Sequence, residues 1–89
     1  MRAVVTVTGK DKKGIIAKIS AFLSEKNANI EDISQTILGE YFAMIMIVDI
    51  SSITQELSSH AEECNELGKQ IGMSVYLQHE DIFNAMHNV

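Results

Sequence analysis

The segment from Tyr41 to Ile50 restricts the possible folds more than any other part of the chain. In an extended conformation its side chains alternate between two faces, and both alternating sets are apolar. One set is Tyr41, Ala43, Ile45 and Ile47, and the other is Phe42, Met44, Met46, Val48 and Ile50. A strand that is apolar on both sides belongs inside a sheet whose two faces are both covered. The segment therefore predicts an inner strand.

A strand and a helix are predicted near the start of the chain. Residues 3–8 alternate and are rich in β-branched side chains, which is typical of a strand, and this strand ends at Gly9. Apolar residues then recur at three- and four-residue spacing, which predicts one face of a helix formed by Ile15, Ile16, Ile19, Phe22 and Leu23. The sequence Asn27-Ala28-Asn29 ends this helix.

Residues 30–38 predict a second strand whose alternation is interrupted. Ile30 lies on one face of a regular strand, whereas Ile33 and Ile37 lie on the other. We therefore expect a bulge or bend near Glu31 and Asp32. Only Gly39 and one further residue separate this strand from the next, which predicts a hairpin.

The second half of the chain predicts a helix, a strand and a tail. The helical stripe consists of Ile53, Leu57, Ala61, Cys64, Leu67 and Ile71. Gly72 then provides a left-handed residue that ends the helix. Residues 73–79 alternate as a fourth strand, and residues 80–88 form a short helical tail.

The predicted order β-α-β-β-α-β defines the fold class. Two interleaved β-α-β units make an α+β, ferredoxin-like sandwich with a four-stranded antiparallel sheet in the order 4-1-3-2. Both helices cover one face of the sheet, and 89 residues form a single domain, residues 1–89. The tail, a second subunit or both must cover the other face. An open patch of Phe42, Met44 and Met46 is large for a monomer, so we expect a homodimer.

Charge and cysteine content exclude several classes of partner. The chain has 7 basic and 12 acidic residues and a net charge of −5, which argues against nucleic-acid and anionic-membrane partners. Cys64 is the only cysteine and the first residues lack the features of a signal peptide, so we expect a cytoplasmic protein.

No set of residues predicts catalysis. His60 and Cys64 lie one helical turn apart and permit metal ligation, but a buried thiol on an apolar stripe explains Cys64 equally well. Motifs for a nucleophile, a zinc protease or a phosphate loop are absent, and the third strand lacks the aromatic pattern of RNA-binding modules. We therefore expect no enzyme activity, no metal and no cofactor.

The loop before the first helix is the remaining candidate for a binding site. The N-terminus of a helix attracts a carboxylate or phosphate, and Gly14 permits close approach of a ligand to the backbone. Lys10, Lys12 and Lys13 raise the local positive potential. Asp11 either caps the helix or receives an ammonium group. An equivalent choice applies to Asn29, which either ends the helix or binds a ligand through its side-chain amide.

The sequence resembles the ACT domain family over nearly its whole length. Residues 5–23 contain the D-x-x-G-x-x-a pattern typical of the first strand–helix junction, with Asp11, Gly14 and Ala17, and Asn29-Ile30 begin the second strand as in the family. Lys13 stands where a proline is common. Small stand-alone single-ACT proteins of bacteria and archaea are most similar, and the ACT half of glycine-cleavage-system repressor-like proteins is similar too.

The resemblance implies a regulatory module that binds an amino acid between paired domains. It places Asp11, Lys12, Lys13, Gly14 and Ile15 of one subunit against Asn29 and Ile30 of the other. The alternative is an interaction module without a ligand, attached to an enzyme or regulator.

Overall fold

The computed structural model describes residues 1–10, 14–51 and 57–87, without the side chains of Leu38, Met86 and His87. The elements are β1 (Arg2–Lys10), α1 (Ile15–Glu25), β2 (Asn29–Leu38), β3 (Tyr41–Asp49), α2 (Leu57–Ile71), β4 (Ser74–His79) and α3 (Glu80–His87). The four strands form one antiparallel sheet in the order β2-β3-β1-β4. The predicted ferredoxin-like fold, its strand order and the inner position of residues 41–49 are confirmed.

The hydrophobic core lies between the sheet and the two long helices. Strand pairing sets Val5 opposite Met46 and Val7 opposite Met44, and all four side chains are fully buried. Ile19 of α1 and Cys64 of α2 belong to the same core cluster. The expectation that Phe42, Met44 and Met46 form an open patch is therefore wrong. Their register with β1 directs them toward the helices, where burial of these large side chains stabilises the fold.

The opposite face of the sheet is partly covered by α3. Phe83 of α3 lines a depression together with Thr6, Ile45, Tyr76 and Gln78, so the tail folds onto its own subunit. The rest of this face remains open and exposes Tyr41, Ala43, Ile45 and Tyr76, which we call the open patch. The side of β3 that α1 and α2 leave uncovered is thus the one that carries Tyr41.

The predicted bulge is present in β2. The pairing with β3 shifts between Ile30 and Asp32, so that Ile30 pairs with Val48 and Ile33 pairs with Met46. Directly paired residues share a face, and the extra residue brings both isoleucines to the helix side. Because β2 is an edge strand, Ile33 and Ile37 remain 41% and 56% exposed.

The ends of the helices follow their local sequences. Asn27 adopts a left-handed conformation with φ 62°, and the Ala28 N–H donates to the Leu23 carbonyl at 2.9 Å, which ends α1. Gly72 also adopts a left-handed conformation after α2, as predicted. The buried side of α2 consists of His60, Cys64 and Gly68, with Leu57, Ala61, Leu67 and Ile71 partly buried beside it. Ile53 of the predicted stripe lies outside the described residues.

Candidate ligand-binding site

The N-terminus of α1 has no side-chain cap among the residues that the structure describes. Gly14 precedes the helix in a left-handed conformation (φ 81°, ψ 4°), and no described side chain forms a capping hydrogen bond there. The first turn of α1 contains no acidic residue. The N–H groups of this turn have no acceptor within the helix and carry the positive end of the helix dipole. This arrangement suits a carboxylate.

Glycine fits the position before α1 for two reasons. A left-handed backbone is strained for residues that have a Cβ atom, at roughly 1–2 kcal/mol. A Cβ atom at Gly14 has no neighbour within 4 Å among the described residues. Ile15, the next predicted site residue, is buried in the core and anchors this end of α1. Asp11, Lys12 and Lys13 lie outside the described residues.

Asn29 is the first residue of β2 and pairs with Asp49. Because Asn27 provides the left-handed residue after α1, the interpretation of Asn29 as the helix-ending residue is wrong. Alternation along β3 directs Val48 to the core and therefore Asp49, with its partner Asn29, to the open face. A ligand in the helix layer would thus meet the backbone of Asn29 and Ile30 rather than the Asn29 amide.

The two halves of the predicted site lie at opposite ends of one subunit. Gly14 follows the end of β1, where Lys10 pairs with Tyr41, whereas Asn29 pairs with Asp49, which also pairs with Arg2 at the start of β1. The 11 residues of α1 separate these ends, and an α-helix of that length spans about 16 Å. A single chain therefore does not bring Gly14 and Asn29 together.

Asp49 lies beside Asn29 and is a charged residue that the sequence did not predict at this site. The Ser51 N–H donates to Asp49 Oδ1 at 2.9 Å, and the N-terminal ammonium of Met1 lies 3.8 Å from the same oxygen. Hydrogen bonds from Ser51 lower the pKa of this carboxyl group. No sequence motif marks Asp49, because only the hairpin register sets it opposite Asn29.

His60 and Cys64 do not form a metal site in the described part of the chain, where no group of three His, Cys, Asp or Glu residues could hold a metal ion. Both residues are buried, and the His60 ring stacks on Phe22 with the centroids 5.9 Å apart. Burial lowers the pKa of His60 and raises the pKa of Cys64 to about 12. A thiol with so high a pKa is a weak nucleophile at neutral pH.

Comparison with known proteins defines the class. The ACT domain family model matches residues 2–78, and the chain therefore belongs to the ACT domain family. ACT domains are regulatory ligand-binding modules that typically dimerise. None of the helices in the described residues is long and apolar enough to span a membrane.

The individual relatives are small single-domain UPF0237 proteins of bacteria and archaea. One from Methanopyrus kandleri is 52% identical over 88 residues, covering 99% of this chain and 98% of that protein. An ACT domain protein from Streptococcus pneumoniae has a TM-score of 0.83 and 40% identity, covering 98% of each chain. A glycine-cleavage-repressor-like protein shares the fold, with a TM-score of 0.69 and 21% identity over 86% of this chain and 44% of its own.

Proposed function

We propose that this protein is a regulatory module that binds an amino acid between two copies of the chain. The observation that carries the proposal is the division of the site within one subunit. A helix N-terminus at Gly14 that no described side chain caps suits a carboxylate, while the backbone of Asn29 and Ile30 lies at the far end of the same helix. A second copy is the simplest source of the missing half.

The free edge of β2 provides a way to pair the copies. Two β2 strands related by a two-fold axis normal to the sheet run antiparallel, so the Gly14 end of one copy lies beside the Asn29 end of the other. Ile33 and Ile37 are exposed along this edge and would be buried by the pairing. A ten-residue strand with an unpaired edge also invites such pairing.

The carboxylate and the ammonium group of an amino acid match the two halves of the proposed site. The ligand carboxylate would accept hydrogen bonds from the N–H groups of the first turn, near Gly14 and Ile15, and Lys12 and Lys13 would add positive potential. Asp11 or the carbonyl groups near Asn29 and Ile30 would accept hydrogen bonds from the ligand ammonium. The same proposal includes a cytoplasmic location and a role without catalysis.

Calorimetric titration with each of the twenty amino acids tests this function. Ile16 is exposed in the first turn of α1, and Ile16→Glu introduces a carboxylate that competes with the ligand for the helix N-terminus. We expect at least ~10-fold weaker binding, which corresponds to about 1.4 kcal/mol. Ala21→Glu adds the same charge at an exposed position farther along α1 and should change affinity less than ~3-fold.

If no amino acid binds at millimolar concentration while the protein still dimerises, the proposed amino-acid binding is refuted and the interaction module is favoured. The open patch supports that second function, since it offers an uncovered apolar surface without any ligand. Equal losses of affinity in Ile16→Glu and Ala21→Glu would argue that the amino acid binds somewhere other than the N-terminus of α1.

A further inference from the structure

We propose that the groove between α1 and α2 is a docking site for a basic amphipathic helix of a partner protein. The groove has a volume of about 470 Å³ and is lined by Phe22 of α1 and by one side of α2 from Ser59 to Gln70. We call it the interhelical groove. Its lining residues all belong to the two helices, so it includes neither the edge of β2 nor the N-terminus of α1. The amino-acid site proposed above and this docking site can therefore fail independently.

The interhelical groove has the length and the apolar surface that a docked helix needs. Its α2 side runs from Ser59 to Gln70, which is a helical rise of about 16 Å or about three turns. Phe22 and Leu67 are half-buried and supply the apolar part of the lining. A helix that binds in a groove inserts apolar side chains from successive turns, and Phe22 and Leu67 are the surfaces that these side chains would contact.

Carboxylates in the interhelical groove determine the sign of the partner's charge. The lining includes Glu62, Glu63 and Glu66 of α2. Like charges at a spacing of three or four residues destabilise a helix, so a cationic partner relieves a repulsion that the free chain retains. Nucleic acids and anionic membranes would add to this repulsion. The groove therefore favours a basic protein segment.

Lys26 shows how the interhelical groove holds a cation. Its ammonium group forms an ion pair with Glu63 and lies 5.9 Å from the centroid of the Phe22 ring. A carboxylate and an aromatic ring thus bind one ammonium group together, which is a favourable arrangement for lysine and arginine side chains.

The cations of the chain leave part of the acidic charge unpaired. Glu62 is exposed and forms no ion pair in the part of the chain that the structure describes. Lys69 lies 3.4 Å from Glu66, but both side chains are mostly exposed, so water weakens this pair. Lys18, one turn before Phe22 on α1, does not line the groove. A basic side chain of the partner therefore has Glu62 as its first counterpart.

A buried polar group next to the interhelical groove gives the partner a second interaction. His60 is 1% exposed, and neither of its ring nitrogens has a hydrogen-bond partner among the described residues. Its ring stacks on Phe22, which is itself part of the groove. A partner side chain that shifts the Phe22 ring would reach the imidazole and satisfy a group that folding leaves unpaired.

Fluorescence anisotropy tests the proposal with a labelled peptide of about 14 residues that has leucine at helical spacing and lysine elsewhere. At about 0.15 M salt, Glu62→Lys should weaken binding by at least ~5-fold. Leu67→Ala, which removes part of the apolar lining, should weaken binding by a similar factor of ~5. Glu40→Lys makes the same change of charge in the exposed hairpin between β2 and β3 and should weaken binding less than ~2-fold. Circular dichroism melts verify that each variant is folded.

Three results of the anisotropy experiment would overturn the proposal. One is a wild type that does not bind the peptide at about 1 mM. Another is an equal loss of affinity in Glu62→Lys and Glu40→Lys, because the net charge of −5 would then attract the peptide without a defined site. The third is displacement of the labelled peptide by a linear tetraamine at the concentration at which unlabelled peptide displaces it, since the groove would then recognise charge without apolar side chains.

Amide chemical shifts provide a readout that needs no variant. Titration of isotope-labelled protein with the peptide should move the amide signals of Ser59, Glu62 and Gln70 more than those of β2 or the open patch. Larger shifts in the sheet than in α2 would contradict the proposed site.

Sedimentation of the variant Glu62→Lys distinguishes a partner protein from another copy of the chain. We expect this variant to sediment at the mass of wild type, because no residue of the β2 edge lines the interhelical groove. A lower mass than wild type would make a second copy the occupant of the groove and would overturn the proposed partner.

Discussion

The contact between α1 and α2 predicts that the protein loses stability below neutral pH. His60 is 1% exposed, and neither ring nitrogen has a hydrogen-bond partner among the described residues. Its ring lies at 10° to the ring of Phe22, and Lys26 lies 5.9 Å from the centroid of the same Phe22 ring. Lys26 forms an ion pair with Glu63. A proton on His60 would therefore create a second cation in a buried contact.

The sign of the pH dependence follows from the pKa of His60. Burial lowers this pKa from its ordinary value of 6.5, and Lys26 lowers it further, while Glu63 raises it. Because the unfolded chain binds the proton more readily, stability is fully present above pH 6.5 and falls as the pH drops toward the folded-state pKa. The maximum slope for one group is about 1.4 kcal/mol per pH unit.

Replacement of His60 by leucine should remove this dependence. Burial of a polar group without a hydrogen bond costs about 1–3 kcal/mol, and leucine removes this cost. Loss of the ring stack with Phe22 offsets about 0.5–1.5 kcal/mol of the stability gained. We expect His60→Leu to be ~1 kcal/mol more stable than wild type at pH 7.5, with a larger difference at pH 5.5. Urea unfolding followed by circular dichroism at one fixed protein concentration measures both values.

His79 provides the matched control, since it is only partly buried and its Nδ1 accepts a hydrogen bond from the Asp81 N–H at 3.1 Å. The variant His79→Gln should lose as much free energy of unfolding between pH 7.5 and pH 5.5 as wild type does. The reasoning fails if His60→Leu is destabilised at pH 7.5 and loses as much stability on acidification as wild type does, because the imidazole would then be satisfied in the folded protein.

Two further predictions concern α2. Gly68→Ala should lower the free energy of unfolding by ~2 kcal/mol, although glycine to alanine inside a helix ordinarily stabilises by about 1 kcal/mol. The added Cβ would lie 2.6 Å from the Met73 carbonyl oxygen, and a thermal melt with unchanged or raised Tm would show that the backbone yields there. Cys64, whose pKa is raised to about 12, should react with a thiol reagent at neutral pH only as the chain unfolds in urea, so rapid modification of the native protein would contradict its burial.

The candidate site could be predicted only in part from the sequence. Gly14 and the start of α1 are local features, and the structure shows a left-handed glycine directly before this helix. The role of Asn29 was uncertain because Asn27 and Asn29 are chemically alike at the end of a helix. Asp49 had no signal of its own, since only its pairing across the hairpin places it beside Asn29.

By itself, the sequence determined the order of strands and helices, the bulge in β2 and the inner position of β3. These features depend on hydrophobic periodicity and turn residues within short stretches of chain. Tertiary structure alone decided which face of β3 enters the core, because Met44 and Met46 became buried only through their register with β1. It also decided that α3 covers part of the outer face and that α1 separates Gly14 from Asn29. Such pairings join residues far apart in sequence, and their free energy comes from burying both partners at once.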